Sequence, residues 1–260
     1  MKSRSLAQFI LCAAVGATVF LTSGCGTVPV TGRSQLNFIP EGQEMALGLS
    51  SFDSLKKSTP ISKDPAINAM VQKVGQRIAA VTGKEMPNAQ WEFVVFDSKE
   101  ANAFCLPGGK PITKDEAGLA TVIGHEVAHA VAKHGAERMS EGMIASGVGQ
   151  YVGNWLGTKM GTEYIPAFNA AYGLGAQGFV LLPHSREQES EADRIGLTYM
   201  ARAGYNPEAS VQFWQRFMEY NKQNGGGKKS DFFSTHPADE TRIKQLQGWL
   251  PEAQKQLKAQ

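Results

Sequence analysis

The segment TVIGHEVAHAVAKHG, residues 121–135, constrains the fold most, because it sets two histidines and a glutamate among Val, Ile and Ala. Its apolar composition predicts a helix that packs into the protein core. On such a helix His125 and His129, four residues apart, lie one above the other with Cβ atoms about 5–6 Å apart. Buried imidazoles and carboxylates are costly unless they are paired or bind a metal. The chain must therefore bring partners, or a metal, to this helix face.

The spacing of these polar residues is typical of a zinc peptidase. Two imidazoles on one helical face can each give a nitrogen to one zinc ion at about 2.0–2.1 Å. Glu126 lies on the neighbouring row, so it can take a proton from water at the metal without being a ligand. The alternative is a surface helix with three polar residues, but the flanking ATVIG is apolar. We therefore predict His125 and His129 as zinc ligands and Glu126 as the general base.

A catalytic zinc site also needs a third protein ligand and one open position. SREQESEADR, residues 185–194, offers Glu189 and Asp193, which are four residues apart and share one helical face. We predict Glu189 as the third ligand and Asp193 as the carboxylate that holds the free ring nitrogen of His125. The alternative, an acidic solvated helix, is disfavoured by the H-E-x-x-H pattern upstream. His134 lies about 140° from the two zinc-binding histidines on a continuous helix, so we expect it to meet the negative end of the helix dipole instead.

The N-terminus has the form of a secretory signal peptide over residues 1–24, with a basic start, an apolar run and small residues at its end. LTSGC resembles a bacterial lipobox, which predicts Cys25 as the first mature residue and the lipid acceptor. A stop-transfer helix is the alternative, but the apolar run is short. Gly26 stands where Asp would resemble an inner-membrane retention signal, which favours the outer membrane, facing the periplasm. Without Lys2 and Arg4 the net charge of +2 falls to near zero, so nucleic-acid binding is not indicated.

The rest of the chain predicts a mainly helical α+β protein with a small sheet. We divide it into a lipidated tether with an N-terminal helix, residues 25–58, and a peptidase domain, residues 59–260; the tether is expected to be extended over 26–40. Helices are predicted over 41–57, 64–83, 185–204 and 206–224, around the zinc motif and at the C-terminus, and strands over 90–96 and 101–107. The stretch 140–182 is predicted as helices broken by glycine, and GGGKKSD, residues 225–231, as a flexible loop.

Three motifs in this order, HEVAH, SREQESEADR and THPADETR, together with NAFCLPGG, resemble the zinc metallopeptidase family that includes the CAAX prenyl protease, HtpX, the mitochondrial Oma peptidase and the bacterial BepA and LoiP proteins. The resemblance runs from about residue 64 to residue 247. It implies a zincin-like fold of the gluzincin type, with one zinc per chain between two helices and the E-x-x-x-D pattern on Glu189 and Asp193. It also implies a role in protein quality control. Membrane-embedded relatives carry several transmembrane helices, and this chain resembles the lipid-anchored branch.

The resemblance also assigns His236, in THPADETR, to a family histidine near the zinc. Two roles stay open: His236 can stabilise the oxyanion of the tetrahedral intermediate, or it can occupy the open metal position and hold the enzyme off. A third interpretation is a residue that only precedes Pro237 at a helix entry. Arg242 matches a family arginine and is expected to form a structural ion pair.

One segment departs from the family pattern. In relatives the NAF-x-LPGG segment continues into a strand that can pair with the substrate backbone. Here LPGGK passes directly to PITKDEAG, which predicts a shortened or missing strand. Weaker substrate alignment would follow, with the metal ligands intact.

Taken together, the residues predict a zinc endopeptidase of the bacterial cell envelope. Zinc would polarise the scissile carbonyl, and Glu126 would move the proton from water to the leaving amine. Its partners would be misfolded or exposed protein segments and, through Cys25, the membrane. The alternative is a lipid-anchored chaperone or binding module that keeps the zinc site but turns over little.

Overall fold

The computed structural model describes residues 25–87, 89–97, 105–106, 110–111, 115–145, 186–223, 236 and 239–259. The helices in these ranges are α1 (Glu41–Ser58), α2 (Pro65–Ala80), α3 (Glu116–Val131), α4 (His134–Ala145), α5 (Arg186–Arg202), α6 (Glu208–Gln223) and α7 (Glu240–Lys258). Strands β1 (Cys25–Thr27) and β2 (Ser34–Leu36) form one antiparallel pair, and β3 (Cys105–Leu106) and β4 (Lys110–Pro111) form another. The mainly helical α+β class is confirmed.

Helix α3, which carries the H-E-x-x-H motif, runs through the centre of the core. The side chain of Asp115 caps its start by accepting a hydrogen bond from the Gly118 amide at 2.7 Å. Between Gly118 and His129 every residue is buried except Glu126. The helix packs against α2, α5 and α6, so nearly its whole circumference is covered by protein. Burial on all sides explains why this segment is apolar almost throughout.

The contact between α3 and α5 depends on two glycines. A Cβ atom added at Gly196 would lie 2.9 Å from the backbone carbon of Gly124 and 2.9 Å from the amide nitrogen of His125. Any side chain at this crossing would push the helices apart, because such distances are shorter than ordinary van der Waals contact. The two glycines therefore let α5 approach the backbone of the zinc-binding helix itself.

Helices α6 and α7 close the core around α5. The rings of Phe213, Trp214 and Phe217 on α6 are buried and contact one another at centroid distances of 5.1–5.7 Å. Helix α7 packs against both α5 and α6. Asp239 caps the start of α7 by accepting from the Arg242 amide at 2.8 Å, which fixes the first turn of that helix beside the site.

The expectation of an extended tether over residues 26–40 is wrong. Strands β1 and β2 pair in an antiparallel hairpin with Cys25 opposite Leu36. Val28 in its turn is only 1% exposed and belongs to the core. The turn is closed by a hydrogen bond from the Val28 amide to the Arg33 carbonyl at 2.8 Å. Burial of Val28 and ion pairs of Arg33, described below, hold this segment against the helices.

The strand predicted over residues 90–96 is also wrong. In the described structure this stretch makes only an isolated bridge, between Ile61 and Phe96. Its backbone bonds instead with the segment before α2, where the Ser62 amide donates to the Val95 carbonyl at 2.8 Å. The apolar and polar residues of this segment alternate because one of its faces packs on α2, where Phe93 lies against Gly75. The alternation does not indicate that the segment is part of a sheet.

Other predicted features are met in part or lie outside the described residues. The helices predicted over 41–57, 64–83, 185–204 and 206–224 and at the C-terminus are confirmed, with Asp64 capping α2. In the NAF-x-LPGG region the structure describes β3 and β4, and the residues that would test the predicted shortening of the strand lie outside the described ranges. The signal segment 1–24, the stretch 146–182 and the glycine-rich loop lie outside the described residues. Within the part of the chain that is described, no helix combines the length and apolarity of a membrane span.

Candidate metal centre

Helices α3 and α5 bring the three predicted ligands to one point. The Nε2 atoms of His125 and His129 lie 3.0 Å apart. Oε1 of Glu189, on α5, lies 3.2 Å from His129 Nε2, and its Oε2 lies 3.5 Å from His125 Nε2. All three side chains are buried. The two pairs of residues that the sequence spaced four apart therefore face each other across the α3–α5 contact.

A fourth donor comes from His236, which precedes α7. Its Nδ1 lies 3.2 Å from His125 Nε2 and 3.0 Å from Glu189 Oε2. The donor atoms of all four residues lie within 4.8 Å of one another. Proximity to the predicted zinc ligands excludes the interpretation of His236 as a residue that only precedes a helix.

This arrangement fits a zinc ion. Tetrahedral coordination at 2.0–2.1 Å places neighbouring donor atoms about 3.3–3.4 Å apart. The pairs above lie 3.0–3.5 Å apart. Three imidazole nitrogens and one carboxylate are also ligands that zinc accepts. Four buried lone-pair donors at these distances need a cation or protons between them.

The electrostatics of the metal-free cluster also indicate a site that binds a cation. Burial lowers the pKa of His125, but the nearby charge of Glu189 and a hydrogen bond to Asp193 outweigh it and raise that pKa to about 9. Burial raises the pKa of Glu189, but the charge of His125 and hydrogen bonds from the neighbouring histidines hold it well below its usual range. In the absence of metal a proton on His125 balances the carboxylate, and a zinc ion would replace that proton.

Comparison with known proteins agrees with this geometry. The sequence profile of peptidase family M48 matches residues 65–250, most of the chain. The chain belongs to peptidase family M48. It is 29% identical over 260 aligned positions to the mitochondrial metalloendopeptidase OMA1 of Saccharomyces cerevisiae, covering 92% of this chain and 72% of that protein.

Two further relatives extend the comparison. The mitochondrial metalloendopeptidase OMA1 of Schizosaccharomyces pombe is 33% identical over 250 positions, covering 92% of this chain and 70% of the relative. The beta-barrel assembly-enhancing protease of Escherichia coli K12 is 25% identical over 256 positions, covering 94% of this chain and 51% of the relative. The predicted family is therefore confirmed, and the chain is a zinc-dependent metalloendopeptidase of family M48.

In this M48 peptidase, Asp193 and Arg242 support His125. Oδ1 of Asp193 lies 2.9 Å from His125 Nδ1, where the carboxylate can accept a hydrogen bond from Nδ1–H and leave Nε2 free for a metal. Arg242 donates to both carboxylate oxygens of Asp193, at 2.6 and 2.7 Å. The charge of Arg242 outweighs burial and lowers the pKa of Asp193, so the carboxylate stays ionised. The guanidinium carbon of Arg242 also lies 3.3 Å from the centroid of the Trp214 ring, which fixes its position.

The structure overturns the interpretation of His134 as a histidine at a helix C-terminus. Helix α3 ends at Val131, Lys133 then adopts a positive φ of 54°, and His134 begins α4. The ring of His134 is fully buried, with Nδ1 2.8 Å from Nδ1 of His129 and Nε2 3.0 Å from Oε2 of Glu191. Burial, opposed by the Glu191 carboxylate, lowers the pKa of His134. A neutral His134 can therefore hold the second zinc-binding histidine.

Glu126 occupies a different environment from its buried neighbours. Its side chain is 44% exposed, although it is flanked by the buried His125 and Val127. Its Oε1 lies 3.5 Å from Nε2 of His236, so the carboxylate stands at the solvent-facing edge of the metal centre.

Besides His134, whose role was predicted wrongly, three buried or half-buried residues around the centre were not predicted from the sequence: Arg33, Glu137 and Glu191. The signal for Glu191 was present, because α5 carries acidic residues at four alternate positions, too many for one solvated face of a helix. No local pattern pointed to Arg33, which lies 158 residues before Glu191.

Proposed function

We propose that this M48 peptidase acts in the bacterial cell envelope, on misfolded or exposed segments of envelope proteins, as part of protein quality control. The proposal is supported by the occurrence, in one chain, of a lipobox-like sequence ending at Cys25 and a peptidase metal centre. It is also supported by similarity to a relative from Escherichia coli named as a beta-barrel assembly-enhancing protease. The OMA1 relatives are named as mitochondrial, so localisation rests on the N-terminal sequence of this chain.

We assign the chemistry to five side chains. His125, His129 and Glu189 would hold the metal, with Asp193 orienting His125. When bound, zinc supplies Lewis acidity to a peptide carbonyl and to water. Glu126 would accept the water proton and deliver it to the leaving amine, and its exposed carboxylate beside the buried donors supports this role.

His236 is proposed as a latch. Three protein ligands leave one position of a tetrahedral zinc site for water and substrate. The distances from His236 Nδ1 to His125 Nε2 and Glu189 Oε2, 3.2 and 3.0 Å, are those of a fourth ligand, which supports the latch over oxyanion support. Withdrawal of His236 would then open the site to substrate.

The alternative function is a lipid-anchored chaperone or binding module with little turnover. The shortened strand that the sequence predicts after LPGGK favours it, because such a strand would pair less well with the backbone of a substrate. The alternative predicts that Glu126→Gln leaves the cellular function intact. The peptidase proposal predicts that this variant loses both proteolysis and cellular function.

The test of the activity is digestion of unfolded casein by the purified protein, with and without a zinc chelator. The proposal predicts cleavage that the chelator stops and that added zinc restores. No cleavage by zinc-loaded protein would favour the binding module.

The test of the location is membrane fractionation of cells that express wild type or Cys25→Ala. We expect wild type with the outer membrane and the variant unprocessed or soluble, because it lacks the lipid acceptor. Identical processing and fractionation of the two proteins would contradict the anchor.

A further inference from the structure

The hairpin formed by β1 and β2 touches the peptidase core through Arg33. The Nη1 and Nη2 atoms of Arg33 donate to the two carboxylate oxygens of Glu137 at 2.7 and 2.8 Å. The Nε atom of the same guanidinium donates to Oε2 of Glu191 at 2.7 Å. Both carboxylate side chains are 5% exposed, whereas that of Arg33 is 21% exposed. One arginine therefore joins two nearly buried carboxylates, on α4 and on α5.

The Glu191 carboxylate also contacts the ring of His134, which in turn contacts the predicted metal ligand His129. Its Oε2 atom accepts from Nε2–H of His134 at 3.0 Å, and Thr31 of the hairpin donates its hydroxyl to Oε1. Nδ1 of His134 lies 2.8 Å from Nδ1 of His129, whose Nε2 belongs to the metal centre.

The direction of each hydrogen bond in the series from Glu191 through His134 to His129 follows from the groups at the two ends of that series. A carboxylate only accepts, so Nε2 of His134 must carry a proton. For Nε2 of His129 to offer its lone pair to a metal, Nδ1 of His129 must carry the proton of that ring. His129 then donates to an unprotonated Nδ1 of His134. Every bond from Glu191 to the metal centre is satisfied by one arrangement of protons.

The two metal-binding histidines of α3 are thus supported in parallel. His125 is held by Asp193, which Arg242 holds in turn. His129 is held by His134 and Glu191, which Arg33 holds in turn. The second support differs in that its arginine comes from the hairpin that begins at the predicted lipid acceptor, before the residues 65–250 that match the family profile.

We propose that Arg33 is a positioning residue for the metal centre, acting on His129 through Glu191 and His134. The N-terminal hairpin is then a working part of the peptidase and not a linker between the membrane and an independent domain. The inference rests on the proposed role of His129 as a metal ligand. Its consequence is that disturbing the hairpin loosens the zinc.

The experiment compares zinc dissociation constants, measured by competition with a chromophoric chelator, for wild type, Arg33→Ala and Arg33→Lys. Loss of a residue that orients a ligand weakens metal binding about 10- to 100-fold, and we expect this for Arg33→Ala. Arg33→Lys should fall between, because an ammonium cannot bind one carboxylate through two nitrogens and also reach the other. Cobalt-substituted Arg33→Ala should show altered visible absorption bands, since the geometry around His129 changes.

Arg202→Ala is the matched control. Arg202 is also a partly buried arginine that joins distant segments, donating to Glu85 at 3.2 Å and to Gln256 at 3.1 Å, but it does not lead to a metal ligand. Its loss should reduce the free energy of unfolding and leave zinc affinity and the cobalt spectrum unchanged. A parallel loss of zinc affinity in both variants would show that Arg33 acts through general stability, against the proposal.

A double-mutant cycle tests whether Arg33 acts on His129 through Glu191 and His134. In a His134→Ala background, Arg33→Ala should cause no further loss of zinc affinity, because the link is already broken. A Glu191→Ala background gives the same test if His134→Ala does not fold, because it removes the oxygen that accepts from both Arg33 and His134. The proposal would be overturned if Arg33→Ala cost as much zinc affinity in a His134→Ala or Glu191→Ala background as in wild type. Unchanged zinc affinity in Arg33→Ala alone would also overturn it. A wild-type protein that binds no zinc would instead contradict the proposed metal site itself.

Discussion

Replacement of Gly196 by Ala tests whether the α3–α5 crossing builds the metal centre. The new Cβ would lie 2.9 Å from the backbone carbon of Gly124 and 2.9 Å from the amide nitrogen of His125. Carbon atoms pack at about 3.5–4.0 Å, so the helices must separate by roughly 0.6–1.1 Å. The atoms that must move are backbone atoms, which cannot swing aside as a flexible side chain can.

This separation of the helices is larger than the change in metal–ligand distance that a zinc site tolerates. Metal–ligand distances are held within about 0.2 Å, and the crossing joins the helix of His125 and His129 to the helix of Glu189. We expect Gly196→Ala to lose about 1–3 kcal/mol of unfolding free energy through overpacking. Zinc affinity should fall about 10- to 100-fold, as it does when the support of a ligand is lost.

The assay is urea denaturation of the metal-free protein together with chelator competition for zinc. Gly248→Ala is the control, because Gly248 is exposed on α7 and a Cβ there would meet nothing within 4 Å. This control should gain up to about 1 kcal/mol from better helix propensity and keep its zinc affinity. If Gly196→Ala matches wild type in both measurements, the close α3–α5 approach does not build the metal centre.

Three further predictions follow from the site. His236→Ala should raise basal hydrolysis of an unfolded substrate if the residue is a latch, and a fall of about ten- to a thousandfold in kcat would mean oxyanion support instead. Asp193→Asn should bind zinc about 10- to 100-fold more weakly, because an amide can present a donor to His125 Nδ1 and disfavour its zinc-binding tautomer; unchanged affinity would contradict the support role. Burial raises the pKa of Glu137, but hydrogen bonds from Arg33 and Gln188 outweigh it and hold that pKa below its usual 4.5, so this residue stabilises the fold above about pH 4.5 and loses that contribution as pH falls. The unfolding free energy of metal-free Glu137→Gln should therefore fall less on acidification than that of wild type, and equal falls would be evidence against the ion pair.

The ligands on helices were predictable because their spacing is local. Two residues four apart share a helical face wherever the helix lies, so the pairs containing His125 and Glu189 could be identified before their helices were placed. Caps such as Asp64 are local in the same way. What the spacing could not supply was the α3–α5 crossing, which depends on Gly124 and Gly196 in different helices.

His134 was misjudged because the prediction assumed one continuous helix. The break at Lys133, with its positive φ, rotates everything that follows, so an angle counted at 100° per residue no longer applies. Lysine is not a residue that usually marks such a break. The contact of Arg33 with Glu191 could not be predicted for a different reason. An ion pair between residues 158 positions apart produces no local pattern in the sequence.

The prediction of a strand over residues 90–96 is wrong for a third reason. Alternation of apolar and polar residues reports that one face of an extended segment is buried. It does not report what lies beside the backbone, and here the neighbour is the short segment before α2. The N-terminal hairpin was missed for the converse reason, because GTVPVTGRSQ has turn residues but too few apolar positions to mark two strands.

Whether this chain is a zinc peptidase that uses Glu126 as its base is tested by zinc content and casein hydrolysis, measured on the same preparations of wild type, Glu126→Gln and His129→Ala. We expect one zinc per chain and chelator-sensitive hydrolysis in wild type. We expect full zinc but no hydrolysis in Glu126→Gln, because the exposed carboxylate of Glu126 serves as base and not as ligand, and loss of both in His129→Ala. Zinc missing from freshly purified wild type, or undiminished hydrolysis by Glu126→Gln, would contradict this assignment.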